Sequence, residues 1–587
     1  MAAFLEAEEL EHHAEVSTGG IWRQHSFGWR DVVATLLVLG AAILLGSGTR
    51  QMVGPFVVGN QADISLSPAA LPLYTLRTVM RMLAAMAASL LFTFTYATAA
   101  GKSRRAEMVL IPILDVLQSV PILGYLSFTV AFFVALFPGS TLGPELAAIF
   151  AIFTSQAWNM AFSFYQSLRT IPTDLDEASR SFRETGWQRF WRLEVPFAMP
   201  GLIWNMMMSM SGGWFFVVAS EAISVGDLQI ALPGVGSYVA KAIEQRDLAA
   251  IGWAILAMTI AILLYDQFLF RPMVAWADKF RFEQTAAQVV PKSWVLELFR
   301  RSTLLAIVGS PVGAVMRRGA RARMSYAPRL FAISGWSLPR SVGDGLWLAA
   351  VFAALSYVAW AIVRYAGPSL SWSDVWTAAG NGALTLARVA ILVALASLIW
   401  VPIGVGVGLR PKLTARVQPI SQFLAAFPAN LLFPIVVFLI VRFQLSPGIW
   451  LCPLLILGTQ WYILFNVIAG ASAFPSDFRE AAASFRVRPW RWWREVMLPG
   501  IFPYYVTGAI TASGGAWNAS IVAETVSWGS TKLTAGGLGA YIAQMTVAGD
   551  YPRIALGIAV MSLLVISMNR LLWRPLYAYA ERRTRLD

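Results

Sequence analysis

Residues 172–196 read PTDLDEASRSFRETGWQRFWRLEVP, and residues 475–499 read PSDFREAAASFRVRPWRWWREVMLP. Laid over one another at a constant offset of 303, they pair Glu177 with Glu480, Ala178 with Ala481, Phe182 with Phe485, Arg183 with Arg486, Trp187 with Trp490 and Pro196 with Pro499. The register continues downstream, where Trp214 falls on Trp517, Glu221 on Glu524, Ser224 on Ser527, Gly226 on Gly529, Gly234 on Gly537, Tyr238 on Tyr541 and Arg271-Pro272 on Arg574-Pro575. Upstream the offset becomes 307 and pairs Thr78 with Thr385, Arg81 with Arg388, Pro112 with Pro419 and Pro121 with Pro428. A four-residue length difference therefore falls between Pro121 and Pro172. One unit has been doubled within the chain. Two like bundles facing each other enclose a path on their pseudo-twofold axis.

Composition sets the environment of this doubled unit. The 587 residues are 57% hydrophobic and only 13% charged, with a mean hydropathy of +0.61. No soluble core hides that much apolar surface, and the apolar runs of roughly 20 residues have the length that a helix needs to span a bilayer. They fall near 31–47, 76–99, 108–137, 144–166, 201–222 and 249–270, and again near 344–363, 383–408, 415–441, 447–469, 501–523 and 553–573. The expected fold is an all-α polytopic membrane protein of about twelve transmembrane helices in two sets of six. An even number of crossings per half makes the repeats parallel, with their axis along the membrane normal.

The net charge of +13 would suit nucleic acid, but Lys and Arg sit in short loops between apolar runs, the pattern that orients membrane helices. Bilayer rather than nucleic acid is the expected surroundings. Lys and Arg concentrate in 101–106, 409–416 and the two motif loops, which places those loops and both termini in the cytoplasm. The expected divisions are a tail at 1–30, a first membrane half at 31–275 with its motif loop at 172–200, a connector at 276–343, a second half at 344–578 with its motif loop at 475–503, and a tail at 579–587. Residues 271–343 carry twelve Lys or Arg against three acids, so the connector too belongs on the cytoplasmic side. Its apolar piece Leu304 to Met316, interrupted by Gly309 and Pro311, is too short to span and reads as an interfacial amphipathic segment or a re-entrant one.

The repeated motif reads as a short helix outside the membrane. Ala178, Phe182 and Phe190 share one face and Arg180, Arg183 and Glu184 another. Asp174 and Asp176 suit the positive end of the helix dipole, and Pro196 with Pro200 marks a break before the next membrane helix. Delivered twice to one surface, such a helix looks like a docking knob; the plainer alternative is a pair of ordinary amphipathic loop helices.

Glu-Ala-Ser or Glu-Ala-Ala, followed about seventeen residues later by Val-Pro or Leu-Pro, resembles the EAA loop of the membrane subunits of bacterial ABC importers. The flanking pieces are similar to nitrate/sulfonate/taurine-type permeases: Thr78 with Arg81, Pro121 in the third apolar run, Ala219-Ser220-Glu221 or Val522-Ala523-Glu524, and Gly-Val-Gly or Gly-Leu-Gly before a tyrosine. The likeness covers about 75–275 and 382–578 and implies a fused permease with a type I importer fold in a bacterial inner membrane. It implies that Glu177, Ala178, Phe182, Arg183 and Trp187, with Glu480, Ala481, Phe485, Arg486 and Trp490, dock on two ATPase subunits that carry the ATP and Mg, and that an external solute-binding protein delivers a small anion such as nitrate, bicarbonate or a sulfonate. One departure is shared by both halves: the family's glycine six residues after the motif glutamate is here Arg183 and Arg486. No ATP site is expected in this chain. Gly101-Lys102-Ser103 matches the end of a phosphate loop, but Tyr96 stands where its first glycine belongs.

Charged groups inside apolar runs mark a function or a partner. Arg81 with Glu221, and Arg388 with Glu524, are expected to pair and hold helix packing near the outer mouth; the alternative has one of these charges facing the path. Ser211-Gly212-Gly213-Trp214 and Ser513-Gly514-Gly515 with Trp517-Asn518 join small residues, which let helices approach closely, to hydrogen-bonding side chains. Ser211, Trp214, Ser513, Trp517, Asn518 and Ser520 are expected to line or gate the path along with Glu221 and Glu524, unless the tryptophans serve only packing. Trp158, Asn159 and Trp461 are weaker candidates. Pro121 and Pro428 are read as bends well inside their helices. Asp115 lies near a cytoplasmic edge and has no acidic mate, since Gln422 stands at its repeat position, and Glu194 and Glu495 read as solvated loop charges. His12, His13 and His25 all precede the first apolar run and Cys452 is the single cysteine, so neither a metal site nor a disulfide is expected. A membrane enzyme would need a catalytic cluster that these helices lack, and an ion-coupled transporter would not need twin docking helices.

Overall fold

In a computed structural model, residues 29–51, 64–225, 228–280, 293–323, 340–474 and 476–584 are described. The tail preceding Trp29, the three histidines, Gly226 and Pro475 lie outside them. Six helices among the described residues have the length and hydropathy of membrane spans: Pro68–Lys102, Leu142–Arg169, Gly186–Glu221, Leu248–Phe280, Trp372–Gly408 and Tyr551–Tyr579. Three further pairs are bent at a short break. The other three expected runs fall on Trp29–Gln51, Arg340–Ala366 and Leu498–Ala523. Exposed stripes such as Leu256, Ile260 and Leu263, or Ile391, Leu395 and Leu398, recur at helical spacing, which suits lipid and not water. This is a polytopic membrane protein of the all-α class, with two repeats.

Within the first half, Leu71–Lys102 packs on Leu142–Arg169, and that on Val195–Glu221; in the second, Trp372–Gly408, Gln460–Ser472 and Leu498–Ala523 stack in the same order. Small residues set these approaches. A Cβ at Gly508 would stand 2.8 Å from the Tyr462 carbonyl oxygen, so only glycine allows the last two helices to touch there.

The prolines behave differently from their expected roles. Pro121 and Pro428 are not bends inside helices: Pro121 separates Arg104–Gln118 from Ile122–Leu136 at 103°, and Pro428 separates Pro411–Ala426 from Ala429–Arg442 at 79°. The reason is local. The residue before proline is driven out of the helical region, and Val120 and Phe427 are extended, with ψ of 127° and 130°. Conversely, Pro196 and Pro200 do not break the chain before the next span, because helix runs from Gly186 to Glu221. It passes Pro196 by a π-turn at Phe190–Glu194, in which the Val195 N–H donates to the Phe190 carbonyl five residues back. The same device precedes Pro272, Pro499 and Pro575, where the N–H of Arg271, Leu498 and Arg574 reaches back to Asp266, Trp493 and Asn569. A widened turn makes room for the ring and for the N–H that proline lacks.

Each half also carries a feature that apolar periodicity hid. Two antiparallel strands, Ala222–Val225 with Leu228–Ala231 and Thr525–Trp528 with Thr531–Thr534, follow the fifth long helix of each half. The second hairpin docks on the first half: the Gly529 N–H donates to the Ile243 carbonyl at 2.9 Å, and Arg246 Nη2 to Ser530 Oγ at 3.2 Å. The helices leading to the hairpins, 27 and 26 residues long, span about 40 Å each at 1.5 Å per residue. Each motif segment joins the end of its long helix that lies away from the hairpin.

Candidate functional site

Between the halves lies a cavity of about 1080 Å³. Ser211 and the Trp158-Asn159 pair line it from one half, and Ser513, Trp517 and Asn518 from the other, with Asn205, Asn466 and Thr459 adding neutral polar groups. Trp214 is buried against a second recess of about 790 Å³, which Ser211 also reaches. Ser520, Glu221 and Glu524 line neither. The Ser520 hydroxyl donates to the Trp517 carbonyl at 2.7 Å, and both glutamates are fully buried.

Asn518 ties the halves together. Its Oδ1 accepts the Ile122 N–H at 2.8 Å, satisfying one of the donors left open where Pro121 starts a new helix. The counterpart of Asn518 is Phe215, which has no such group. There the roles reverse, and Asn430, two residues after Pro428, donates its Nδ2 to the Phe215 carbonyl at 3.1 Å. Both broken helices are thus held by the long helix of the opposite half.

The buried charges form two clamps at the hairpin end. Arg81 Nη1 meets Glu221 Oε1 at 2.6 Å, and Thr78 Oγ1 and the Gly236 N–H donate to the same carboxylate at 2.7 and 2.6 Å. In the second half Arg388 Nη1 lies 3.2 Å from Glu524 Oε1, with Thr385 Oγ1 at 2.8 Å and the Ala540 N–H at 3.1 Å. A Cβ at Gly234 or Gly537 would overlap these carboxylates, which accounts for the paired glycines.

Sequence reading missed the third member. Glu145 is buried and grips Arg81 twice, Oε2 to Nε at 2.6 Å and Oε1 to Nη2 at 2.7 Å. At the 307 offset its counterpart is Cys452. Arg388, lacking that carboxylate, donates instead to the carbonyls of Gly536 and Ala535 at 2.7 and 2.6 Å. An acid without a repeat mate was the available signal.

At the other end of the cavity the two halves exchange charges. Asp115, read as an isolated edge residue, is ion-paired with Arg574 of the second half. Its repeat mate Gln422 faces the second recess, and there Arg271, the mate of Arg574, pairs within its own half with Asp266 at 2.9 Å. Asn569 stands at the counterpart of Asp266. One ion pair therefore crosses between halves and its pseudo-equivalent does not.

The motif segments fold as Thr173–Ser181 and Ser476–Ser484. Glu177, Ala178, Glu480 and Ala481 are exposed, as are Phe182 at 69%, Phe485 at 83% and Trp490 at 71%, whereas Trp187 is half-buried. Arg183 and Arg486 adopt φ of +51° and +48°, the left-handed region that closes a helix C-terminus. The Glu184 and Val487 N–H groups reach back to Ser179 and Ala482 at 3.2 and 3.0 Å. Glu194 is corrected here: far from being solvated, it is 3% exposed and pairs with Lys102 at 2.9 Å and Arg189 at 3.2 Å, because the continuous helix draws it under the motif. Glu495 stays exposed, 4.0 Å from Arg491.

Residues 90–271 and 399–585 match the family described as binding-protein-dependent transport system inner membrane component. The two matches cover more than half of the chain, which belongs to this family and carries its membrane unit twice. The chain is 32% identical over 145 residues to the bicarbonate transport system permease protein of Synechococcus elongatus, covering 25% of this chain and 51% of that one. It is 25% identical over 189 residues to the nitrate import permease protein of Leptolyngbya laminosa, covering 32% and 64%, and 30% identical over 172 residues to the glycine betaine/carnitine transport permease protein of Listeria monocytogenes, covering 28% and 54%. The matched stretch spans about half the length of the first of these relatives.

Proposed function

We propose that this chain is a fused two-half permease of an ATP-driven importer in a bacterial inner membrane, with its motif helices facing the cytoplasm. Thr173–Ser181 and Ser476–Ser484 each seat in an ATPase subunit that holds ATP and Mg, and an external binding protein delivers solute to the hairpin end. The observation that carries this reading is the pair of matching, exposed helices, each joined by a short left-handed turn at Arg183 or Arg486 to a long helix that runs on through a π-turn and lines the inter-half space. A push on the exposed helix is passed through that tight turn to the path wall.

The proposed cargo is a small anion of the bicarbonate or nitrate type, in keeping with the names of the relatives and with Arg570 and Arg574, the latter paired with Asp115, at one end of a cavity whose other polar lining groups are neutral. A second reading, glycine betaine, is favoured by one observation. Trp158, Trp204 and Trp517 line the same cavity, and indole faces attract quaternary ammonium groups. Uptake of labelled bicarbonate, nitrate and glycine betaine by cells carrying the chain and its copurifying ATPase separates the two. Glu177→Lys with Glu480→Lys should abolish ATP-dependent uptake while leaving the chain in the membrane. Uptake that survives both changes, or that proceeds without ATP, overturns the proposal.

A further inference from the structure

We propose that the connector helix Thr303–Arg321 rests on an anionic lipid surface and passes that contact to the first motif segment alone. The helix is unbroken by Gly309 or Pro311, contrary to the interruption expected from sequence. Its start is pinned beside the helix that falls on the first apolar run: Asp31, buried at the beginning of Trp29–Gln51, accepts from Ser302 Oγ at 2.9 Å and from the Leu304 N–H at 3.0 Å. Its end is pinned to the motif. Trp187 Nε1 donates to the Gly319 carbonyl at 2.8 Å, and Gln188 Nε2 to the Arg321 carbonyl at 2.9 Å.

Between these anchors Ile307, Val308, Pro311 and Val315 are exposed and fall on one face at helical spacing. The last turns carry Arg317, Arg318 and Arg321, all exposed, and the helix contains no acid. An apolar face followed by a basic end is the composition of a helix lying in a headgroup layer, and basic residues there favour anionic lipid. The occupant follows from continuity, because the adjoining Trp29–Gln51 also exposes Val32, Leu36, Leu39 and Ile43, so the two apolar surfaces meet one medium. The second motif segment shows the contrast: Trp490, the counterpart of Trp187, is 71% exposed.

The lipid contact stands without the transport reading; its consequence for a coupling helix rests on that reading. The test uses the full chain in a Cys452→Ser background, reconstituted in vesicles of phosphatidylcholine with or without phosphatidylglycerol and with no ATPase present. A fluorophore on Val315→Cys should be quenched by nitroxide-bearing lipid and shielded several-fold from aqueous iodide in the anionic vesicles. Replacing Arg317, Arg318 and Arg321 by Gln should remove the dependence on phosphatidylglycerol. A label open to iodide in every vesicle overturns the proposal and points to a protein occupant instead. Labels on Phe182→Cys and Phe485→Cys read the second limb: phosphatidylglycerol should change the accessibility of the first several-fold and leave the second unchanged, and Trp187→Phe with Gln188→Ala should erase the difference. Equal responses, or none, reject transmission to the first segment.

Discussion

Arg81 is a fully buried guanidinium held by two carboxylates and the Pro233 carbonyl. Removing one member of a buried ion pair strands the other charge, at a cost of about 3–5 kcal/mol. Arg81→Met should therefore lower detergent-solubilised thermal stability sharply, and Arg388→Met less, because Arg388 is partly exposed and spends two of its donors on carbonyls. Equal losses would argue against the role of Glu145. A different strain sits at Arg183 and Arg486. A left-handed φ costs a residue with a Cβ roughly 1–2 kcal/mol relative to glycine, so Arg183→Gly and Arg486→Gly should each raise hydrogen-exchange protection of their motif helix by about 1 kcal/mol. That both halves keep arginine there indicates a use for the exposed cation that outweighs the strain, and docking is the use we propose.

The proline-broken helices depend on the opposite half. Asn518 acts on Ile122–Leu136 as a cap supplied from outside, and losing a cap costs about 1 kcal/mol. Asn518→Leu should reduce exchange protection at the start of Ile122–Leu136 by that amount, while Asn518→Asp, which keeps the acceptor, should largely retain it. The four π-turns carry the opposite lesson: proline breaks the chain when the residue before it turns extended, as at Val120, but not when the preceding N–H finds a carbonyl five residues back, as at Val195. Periodicity and composition do not distinguish these outcomes. The choice depends on whether the surrounding helices hold the segment straight.

The assembled halves are alike in backbone and unlike in charge. Asp115 joins Arg574 across the halves, while Arg271 stays with Asp266, so of these two equivalent ion pairs only one bridges the halves. Both partners are substantially exposed, and such pairs contribute below about 1 kcal/mol to stability; a double-mutant cycle with Asp115→Asn and Arg574→Gln should show a coupling of that size. Its effect on movement should be larger. A reducible bifunctional thiol crosslinker joining Asp115→Cys to Arg574→Cys in a Cys452→Ser background should arrest uptake, and reduction of the linker should restore it. Full uptake by the crosslinked chain would show that the halves do not part there.

Twofold repetition, the membrane setting, the motif helices and the pairing of Arg81 with Glu221 were all legible in the residues, because each depends on composition, on a period or on identical residues at a fixed offset. Glu145 was passed over because no acid matches it at a fixed offset, the criterion that had drawn out Arg81 and Glu221; its lack of a mate was itself the signal. The reversed roles of Asn518 and Asn430, the passage of helix through Pro196 and the burial of Glu194 were not legible. Those features arise where one helix meets another, and distances between segments far apart in the chain are set by packing that no local pattern encodes.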